Sequence, residues 1–288
     1  MAAPLEVHTE VGLGSEAQTS PLFRLSPVGT PIYLGSLQRL RSDHLMASAS
    51  LNWLSAPEQL LHVSMAASAM GKRAPNQPDF DLTVLSAQPT LHWAMEGLSL
   101  GTGPSWQSIS VAGRRFRETP GWQLSITRPQ DQDLLTLVAE RGSYRHTSEW
   151  RDLDARATTA LAQWQRSFKD SPVETVQMTL HFGQESNARG LDELSQRSRA
   201  VQWGLDGQAA GLNWSVLGSW QRSQFRASAF EGDVPRRDRS WSLDMSITQP
   251  LGPRHGLKIG ISHSRNHSSV ALYDQRYRQL SGSITSHW

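Results

Sequence analysis

The sequence predicts an all-β protein, a single transmembrane up-and-down antiparallel β-barrel of about 14 strands. Three observations lead to this prediction. Apolar and polar residues alternate in segments of about ten residues along most of the chain. The connections between these segments alternate between short and long. The chain ends on an aromatic residue, Trp288, as the last strand of such barrels commonly does. We expect one domain over residues 1–288.

The stretch SWSLDMSIT, residues 240–248, shows the alternation most clearly. Trp241, Leu243, Met245 and Ile247 occupy every second position, and Ser, Asp and Thr fill the gaps. Such a strand has one apolar and one polar face. A soluble sandwich turns the apolar face to a protein core, whereas a membrane barrel turns it to lipid. Segments with the same pattern are 5–13, 45–53, 61–68, 80–84, 91–95, 122–126, 135–139, 176–182, 201–205, 212–220, 257–261 and 280–288.

The apolar positions of these segments are expected to contact lipid. In the segment 80–84 they are Phe80, Leu82 and Val84. In the segment 176–182 the alternation slips near Thr175, which indicates a β-bulge.

The connections separate into two kinds. Short joins rich in Pro, Gly and Asp, which favour tight turns, are 55–59, 87–90, 128–133, 167–172, 206–210 and 249–255. Long joins are 17–43, 70–78, 101–120, 142–154, 184–198, 223–239 and 264–277. Because every second connection of a meander lies at the same end, the long loops share one end. This is the layout of a Gram-negative outer-membrane barrel with both termini on the periplasmic side.

Composition excludes several classes of protein. Lys plus Arg is 28 and Asp plus Glu is 26, without a basic run, so nothing indicates nucleic-acid binding. There is no cysteine, and no window reaches the roughly 18 apolar residues of a transmembrane helix. The opening MAAPLEVHTE lacks the features of a signal peptide, so we expect a mature or trimmed chain.

Tryptophan is abundant, with 11 residues, and its ring favours membrane–water interfaces. We expect outer-membrane lipid to contact the lipid-facing and girdle residues Trp53, Trp93, Trp122, Trp214, Trp220, Trp241 and Trp288. Trp288 is also expected to be read by the barrel assembly machinery.

Charged residues on the polar face are expected to line the lumen, because Lys or Arg at mid-depth in lipid costs about 2–4 kcal/mol. Asp244, Lys258 and Glu174 are such residues. Arg236, Arg237 and Asp238 stand where a long loop meets a strand. They are either an inward salt-bridge cluster that shapes the exit or a solvated ion pair worth about 0–1 kcal/mol.

The ten histidines raise the hypothesis of a catalytic or metal-binding site, and His255, His263 and His267 lie near several serines in the sequence. The sequence contains no His-Glu-x-x-His pair, and its one Gly-x-Ser-x-Gly match, residues 97–101, is followed by a Gly- and Pro-containing stretch and not by the helix that a nucleophile elbow requires. We therefore expect no enzyme, no metal site and no cofactor.

The last hundred residues resemble the barrel domain of surface lipoprotein assembly modifiers. Residues 181–205 resemble a strand–loop–strand unit of that family, and 228–247 contain an Arg-Asp element at Arg236, Arg237 and Asp238. The ending 264–288 resembles the family's ending at Ser269, Ala271, Leu272, Tyr273, Asp274 and Arg276. Tyr273 and Asp274 form either a loop-packing hydrogen bond or a gate contact, and Arg276 is a candidate for the lumen or loop.

The resemblance implies an outer-membrane translocon that exports a lipoprotein or soluble protein cargo to the cell surface. Family members carry a periplasmic helical-repeat domain before the barrel, which this sequence lacks, so a separate helical-repeat partner is an expectation. Two alternatives remain open. One is a porin or polysaccharide-export channel, and the other is a soluble all-β binding domain.

Overall fold

The protein is a closed barrel of 14 antiparallel strands. A computed structural model describes residues 5–25, 31–55, 59–78, 81–228, 234–270 and 273–288. Each strand pairs with its neighbours in sequence, and the first strand pairs with the last. The predicted fold class is confirmed. The strands are β1 (Leu5–Leu25), β2 (Pro31–Leu54), β3 (Leu61–Arg73), β4 (Leu82–Met95), β5 (Leu98–Val111), β6 (Arg114–Gln130), β7 (Asp133–His146), β8 (Ala155–Ser167), β9 (Val173–Asn187), β10 (Gln196–Ala209), β11 (Leu212–Phe225), β12 (Arg237–Pro250), β13 (His255–Ser268) and β14 (Gln275–His287).

The apolar face of the sheet looks outward. Val11, Ile259 and Ile247 are 63%, 56% and 54% exposed, although each lies in the middle of a strand. Among the described residues, the buried hydrophobic side chains are limited to Ala74, Ala155, Ala157 and Phe225. A soluble sandwich would bury its apolar face in a core of large side chains. The exposed apolar belt, together with a sheet that has no free edge, is the arrangement that lipid requires.

Tight turns and longer loops lie at opposite ends of the barrel, with one exception. Two-residue turns join β4 to β5 at Glu96 and Gly97, β6 to β7 at 131–132 and β10 to β11 at 210–211. Ala210 and Gly211 both have positive φ, as a type I′ hairpin requires. The opposite end carries the loops 74–81, 147–154, 188–195, 226–236 and 269–274. The exception is β5–β6, which a tight turn at 112–113 joins at that loop end.

Three predicted connections are wrong. Residues 87–90 lie inside β4, most of 101–120 belongs to β5 and β6, and 17–25 and 31–43 of the predicted join 17–43 belong to β1 and β2. Proline suggested loops at 87–90 and 101–120, but Pro89, Pro104 and Pro120 stand within strands. Proline has no N–H to donate to a ladder. The pairing of β4 with β5 accordingly lapses between Ala87 and Leu91, yet the register on both sides is the same.

The predicted orientation of Leu82 and Val84 is also wrong. Leu82 lies opposite Lys72 and Val84 opposite Met70. Residues directly opposite each other share a face of the sheet, and the side chain of Lys72 contacts Glu16 on the inner wall. Leu82 and Val84 therefore face inward, whereas Leu85 is exposed on the outside. Phe80 lies outside the described residues.

The predicted bulge is confirmed beside Thr175. Asp206 pairs with Thr175 whereas Gly207 pairs with Val173, which leaves Glu174 as the extra residue. Two short 3₁₀ helices, Ser148–Leu153 and Asp192–Leu194, lie in loops. Across the described ranges, no helix has the length and apolar character needed to cross a membrane.

Candidate functional site

The inner wall of the barrel is polar and carries more carboxylates than bases. The alternation places one residue in two on this wall, and the cross-strand register identifies which. Within the described ranges, the inward carboxylates are Glu6, Glu10, Glu16, Glu140, Glu185, Asp206, Asp238 and Asp244. The inward Lys and Arg residues are Lys72, Arg114, Arg117 and Lys258, and Arg236 pairs with the inward Asp238. The lumen therefore has a negative potential, which favours cations.

One charge cluster joins four strands of the wall near the loop end. Lys72 on β3 donates to both carboxylate oxygens of Glu16 on β1, at 2.7 and 2.8 Å. The hydroxyl of Tyr277 on β14 donates to the same carboxylate at 2.9 Å and lies 2.6 Å from Gln279 Oε1. The amide nitrogen of Gln279 lies 3.1 Å from Nε2 of His44 on β2. The cluster holds a carboxylate that is only 6% exposed.

A second cluster lies nearer the turn end. Lys258 pairs with Glu10 at 3.1 Å across β14, and the Ser283 hydroxyl donates to Glu10 at 2.6 Å. Asp244 faces the lumen from β12, where its neighbours across the ladders are Leu217 and Ser262. The structure thus places Asp244 and Lys258 on the inner wall, as the sequence predicts. Glu174 is an exposed bulge residue at the turn end.

On the opposite side of the inner wall, charged side chains contact neutral polar side chains. The guanidinium of Arg117 lies 4.4 Å from the ring centre of Tyr144, and it donates to Gln107. Glu140 accepts a 2.6 Å hydrogen bond from Ser105. A cavity of about 470 Å³ opens between these side chains. Most of the residues around this cavity are polar.

The residues on which the family resemblance depends converge at the loop end. The Arg236 guanidinium lies between the rings of Phe225 and Tyr273, at 3.8 and 3.7 Å from their centres. It also pairs with Asp238 at 2.9 Å, and Asp238 accepts a 2.7 Å hydrogen bond from Ser268. We call Phe225, Arg236, Asp238, Ser268 and Tyr273 the loop clamp. Because Asp238 is buried, this is not a solvated ion pair.

The backbone supports the clamp. Arg237 exchanges hydrogen bonds with Ser269, whose hydroxyl accepts from the Arg237 N–H at 2.9 Å. Asp274 accepts a 2.6 Å hydrogen bond from the backbone N–H of Ser268. The carbonyl of Tyr273 accepts from the Asn266 amide at 2.8 Å. The β11–β12 and β13–β14 loops are therefore fixed to each other. Ala271 and Leu272 lie outside the described residues.

Replacing Arg236 by Ala should loosen both loops, because it removes two cation–π contacts and the buried partner of Asp238 at once. We expect faster backbone hydrogen exchange in 226–228, 234–236 and 269–270, with little change in the strands. Arg237→Ala is the matched control, since the Arg237 side chain is exposed and its hydrogen bonds run through the backbone. Equal exchange in the two variants would contradict the clamp.

Arg276 lies elsewhere than the sequence-based prediction placed it. It is opposite Arg265 and Thr19, and it shares the outward parity of Leu280 and Ile284 on β14. Its side chain is exposed on the outer face and does not reach the lumen. The signal was present in the sequence, because a two-residue period counted back from Ile284 reaches Arg276.

Tryptophans near the strand ends form two levels on the outer face. Trp53, Trp93, Trp214 and Trp288 form the lower level near the turn end, and Trp220 and Trp241 form the upper level nearer the loop end. Trp106, Trp122 and Trp203 lie between the two levels. Trp164, which the prediction omitted, belongs to the lower level, where its indole N–H donates to Asp133. Sequence reasoning also missed Glu10, Glu16 and Lys72, although each stands an odd number of residues from the outward apolar positions of its strand, which marks it as inward.

Comparison with known proteins identifies the fold alone. No family model matches the chain, and no curated protein matches it. Among solved structures, OccK7 (OpdD) of Pseudomonas aeruginosa is similar with a TM-score of 0.51, 11% identity and 99% coverage of both chains. OccAB1 of Acinetobacter baumannii has a TM-score of 0.51 and 10% identity, with 98% of this chain and 96% of that chain covered. A loop-deletion mutant of OmpT, an outer membrane protein of Vibrio cholerae, has a TM-score of 0.51, 5% identity and full coverage of both chains. The chain therefore shares its barrel fold with these solved structures, one of which is an outer membrane protein.

Proposed function

We propose that this chain is an outer-membrane export barrel, similar to surface lipoprotein assembly modifiers, that moves a lipoprotein or soluble protein to the cell surface. The loop clamp carries the proposal. The resemblance depends on Arg236, Asp238 and Tyr273. Arg236 and Tyr273 stand on two different loops, and they meet Asp238, at the start of β12, in one contact network. A fixed pair of loops at the mouth of a hydrophilic lumen suits a channel that must guide a chain outward.

The proposal places the loop end outside the cell and the termini in the periplasm. Cargo then enters at the turn end, where a separate periplasmic partner with helical repeats would deliver it. The polar inner wall gives an unfolded chain hydrogen-bonding groups in place of water. Fold similarity does not determine cargo, since one barrel architecture carries many functions.

Deleting the gene should strand a surface protein in the periplasm. Surface labelling of whole cells, followed by mass spectrometry, measures the effect. A plasmid with the native gene should restore the missing protein, Arg237→Ala should restore it equally, and Arg236→Ala should restore less of it. Barrel levels are compared by heat-dependent gel mobility. An unchanged surface proteome on deletion would refute the export proposal.

A second candidate function is a diffusion channel with a preference for cations, and the inner-wall carboxylates favour it. Rings of Asp and Glu give cation selectivity in channels. In a planar bilayer under a KCl gradient, the reversal potential would then report K⁺ selectivity, and Asp206→Asn with Asp244→Asn would reduce it. An open, selective conductance together with an unchanged surface proteome would favour this function over export.

A further inference from the structure

The outer face of β10–β14 carries a run of arginines directly above the apolar belt. Arg199, Arg222 and Arg239 lie side by side on three consecutive strands. Arg265 lies beside Trp241 and opposite Arg276, and Arg278 follows two residues further along β14. We call Arg199, Arg222, Arg239, Arg265, Arg276 and Arg278 the arginine belt. All six side chains are exposed.

The register establishes that the belt faces outward. Val201, Trp220 and Trp241 are directly opposite one another on the outer face. Arg199, Arg222 and Arg239 each stand two residues from one of them, on the side of the loops, and therefore share their face. Trp241 and Trp220 belong to the upper tryptophan level, so Arg199, Arg222 and Arg239, which stand beyond it, lie at the depth of lipid headgroups. Arg278 lies deeper, two residues from Leu280.

Within the described strands β10–β14 the belt has no counter-charge, and Asp274, in the loop before β14, pairs with His267 beside Arg239. The carboxylates of β10–β14 are Asp206, Asp238 and Asp244, and all three face inward. No salt bridge involves a belt arginine in the part of the chain that the structure describes. Like charges directly opposite each other destabilise a sheet. An anion from outside would therefore stabilise three arginines in one row and a further opposed pair.

A groove beside the belt has basic residues near the loops and apolar residues further away, which match the phosphate and the acyl chain of a lipid. Arg41, His263 and Arg278 line its upper part, and Ile261 and Leu280 line it further from the loops. It has a volume of about 650 Å³ on the outer face, where β1 contributes the small side chain of Ala17. An outward carboxylate, Asp43, lines an adjoining groove.

We propose that the arginine belt binds the phosphates of a phosphorylated glycolipid in the outer leaflet, with an acyl chain along the neighbouring groove. A guanidinium group binds a phosphate through two parallel hydrogen bonds. A lysine cannot donate hydrogen bonds in this geometry, and a neutral headgroup cannot accept them with the same strength. Basic residues near a membrane surface contribute additively to anionic lipid binding. The inference rests on the proposed outer-membrane location, but not on export, and it also assigns the loop end to the outer leaflet.

The test is a titration of the detergent-purified barrel with lipid A, a diphosphorylated glycolipid, followed by native mass spectrometry. The triple variant Arg199→Gln/Arg222→Gln/Arg239→Gln should bind at least about tenfold more weakly than the native barrel. The matched control, Arg128→Gln/Arg166→Gln/Arg254→Gln, removes the same charge at the turn end and should change affinity less than about twofold. Heat-dependent gel mobility verifies that each variant is folded.

The alternatives give different results. Monophosphoryl lipid A should bind more weakly than lipid A, and phosphatidylethanolamine should not replace it. If inorganic phosphate competes at the same concentration as lipid A, the belt is an anion site and not a lipid site, and the proposal fails. Equal losses in the triple variant and the control would overturn it as well. Lipid binding without any export phenotype would refute the export function alone.

Discussion

Replacing Ile261 by Arg should lower the free energy of unfolding by about 2–4 kcal/mol, because it places a charge in the lipid-facing belt at mid-depth. Ile261 is 57% exposed on the outer face, where hydrocarbon surrounds it. The matched control is Ser262→Arg at the next residue. Ser262 faces the lumen opposite Asp244, so a new guanidinium there meets water and a carboxylate.

The measurement is a denaturant titration of both variants, refolded into lipid vesicles and followed by tryptophan fluorescence. We expect Ser262→Arg to remain within about 1 kcal/mol of the native barrel. If both variants lose the same stability, the two faces have equal polarity, and the chain does not present its apolar side to lipid.

Replacing Lys72 by Met should cost about 3 kcal/mol, because it leaves the buried carboxylate of Glu16 without its cation. Lys72 binds both oxygens of Glu16, and the remaining donor, the Tyr277 hydroxyl, carries no charge. The double variant Lys72→Met/Glu16→Gln should recover most of the loss, since the amide that remains is neutral. The same vesicle titration measures all of these variants.

Lys258→Met is the control for position on the wall. Its partner Glu10 is 25% exposed in the lumen, so water replaces much of the lost interaction. We expect a loss of at most about 1 kcal/mol. A result in which Lys258→Met costs as much as Lys72→Met would show that burial of the pair does not determine its contribution.

The fold could be predicted because the strands alternate with a strict period of two. Trp241, Met245 and Ile247 identify an outward face from the sequence alone, and the structure confirms it. The prediction for Leu82 and Val84 was wrong because it took hydrophobicity as a sign of lipid contact in a segment of only five residues. A two-residue period counted back along β4 from Leu91 to Leu85 leaves Leu82 and Val84 on the inward face.

Contacts between strands that are not neighbours could not be predicted. Glu16 and Lys72 lie on β1 and β3, and their contact depends on how far each strand is shifted past the next around the barrel. The sequence shows which face of the sheet each residue occupies, but it does not show this shift between strands. The loop clamp is a similar case, because Arg236 and Tyr273 meet only after two loops have folded over the same rim.

The seam of the barrel limits how the chain can fold. Strand β1 pairs with β14 from His8 opposite His287 to Thr19 opposite Arg276. The rings of His8 and His287 contact each other across 279 residues of sequence. Until the last strand is made, β1 and the growing edge both present unpaired backbone groups, which lipid does not tolerate. Insertion must therefore be nearly simultaneous with closure, and a chain shortened by one strand would be left with an open ribbon.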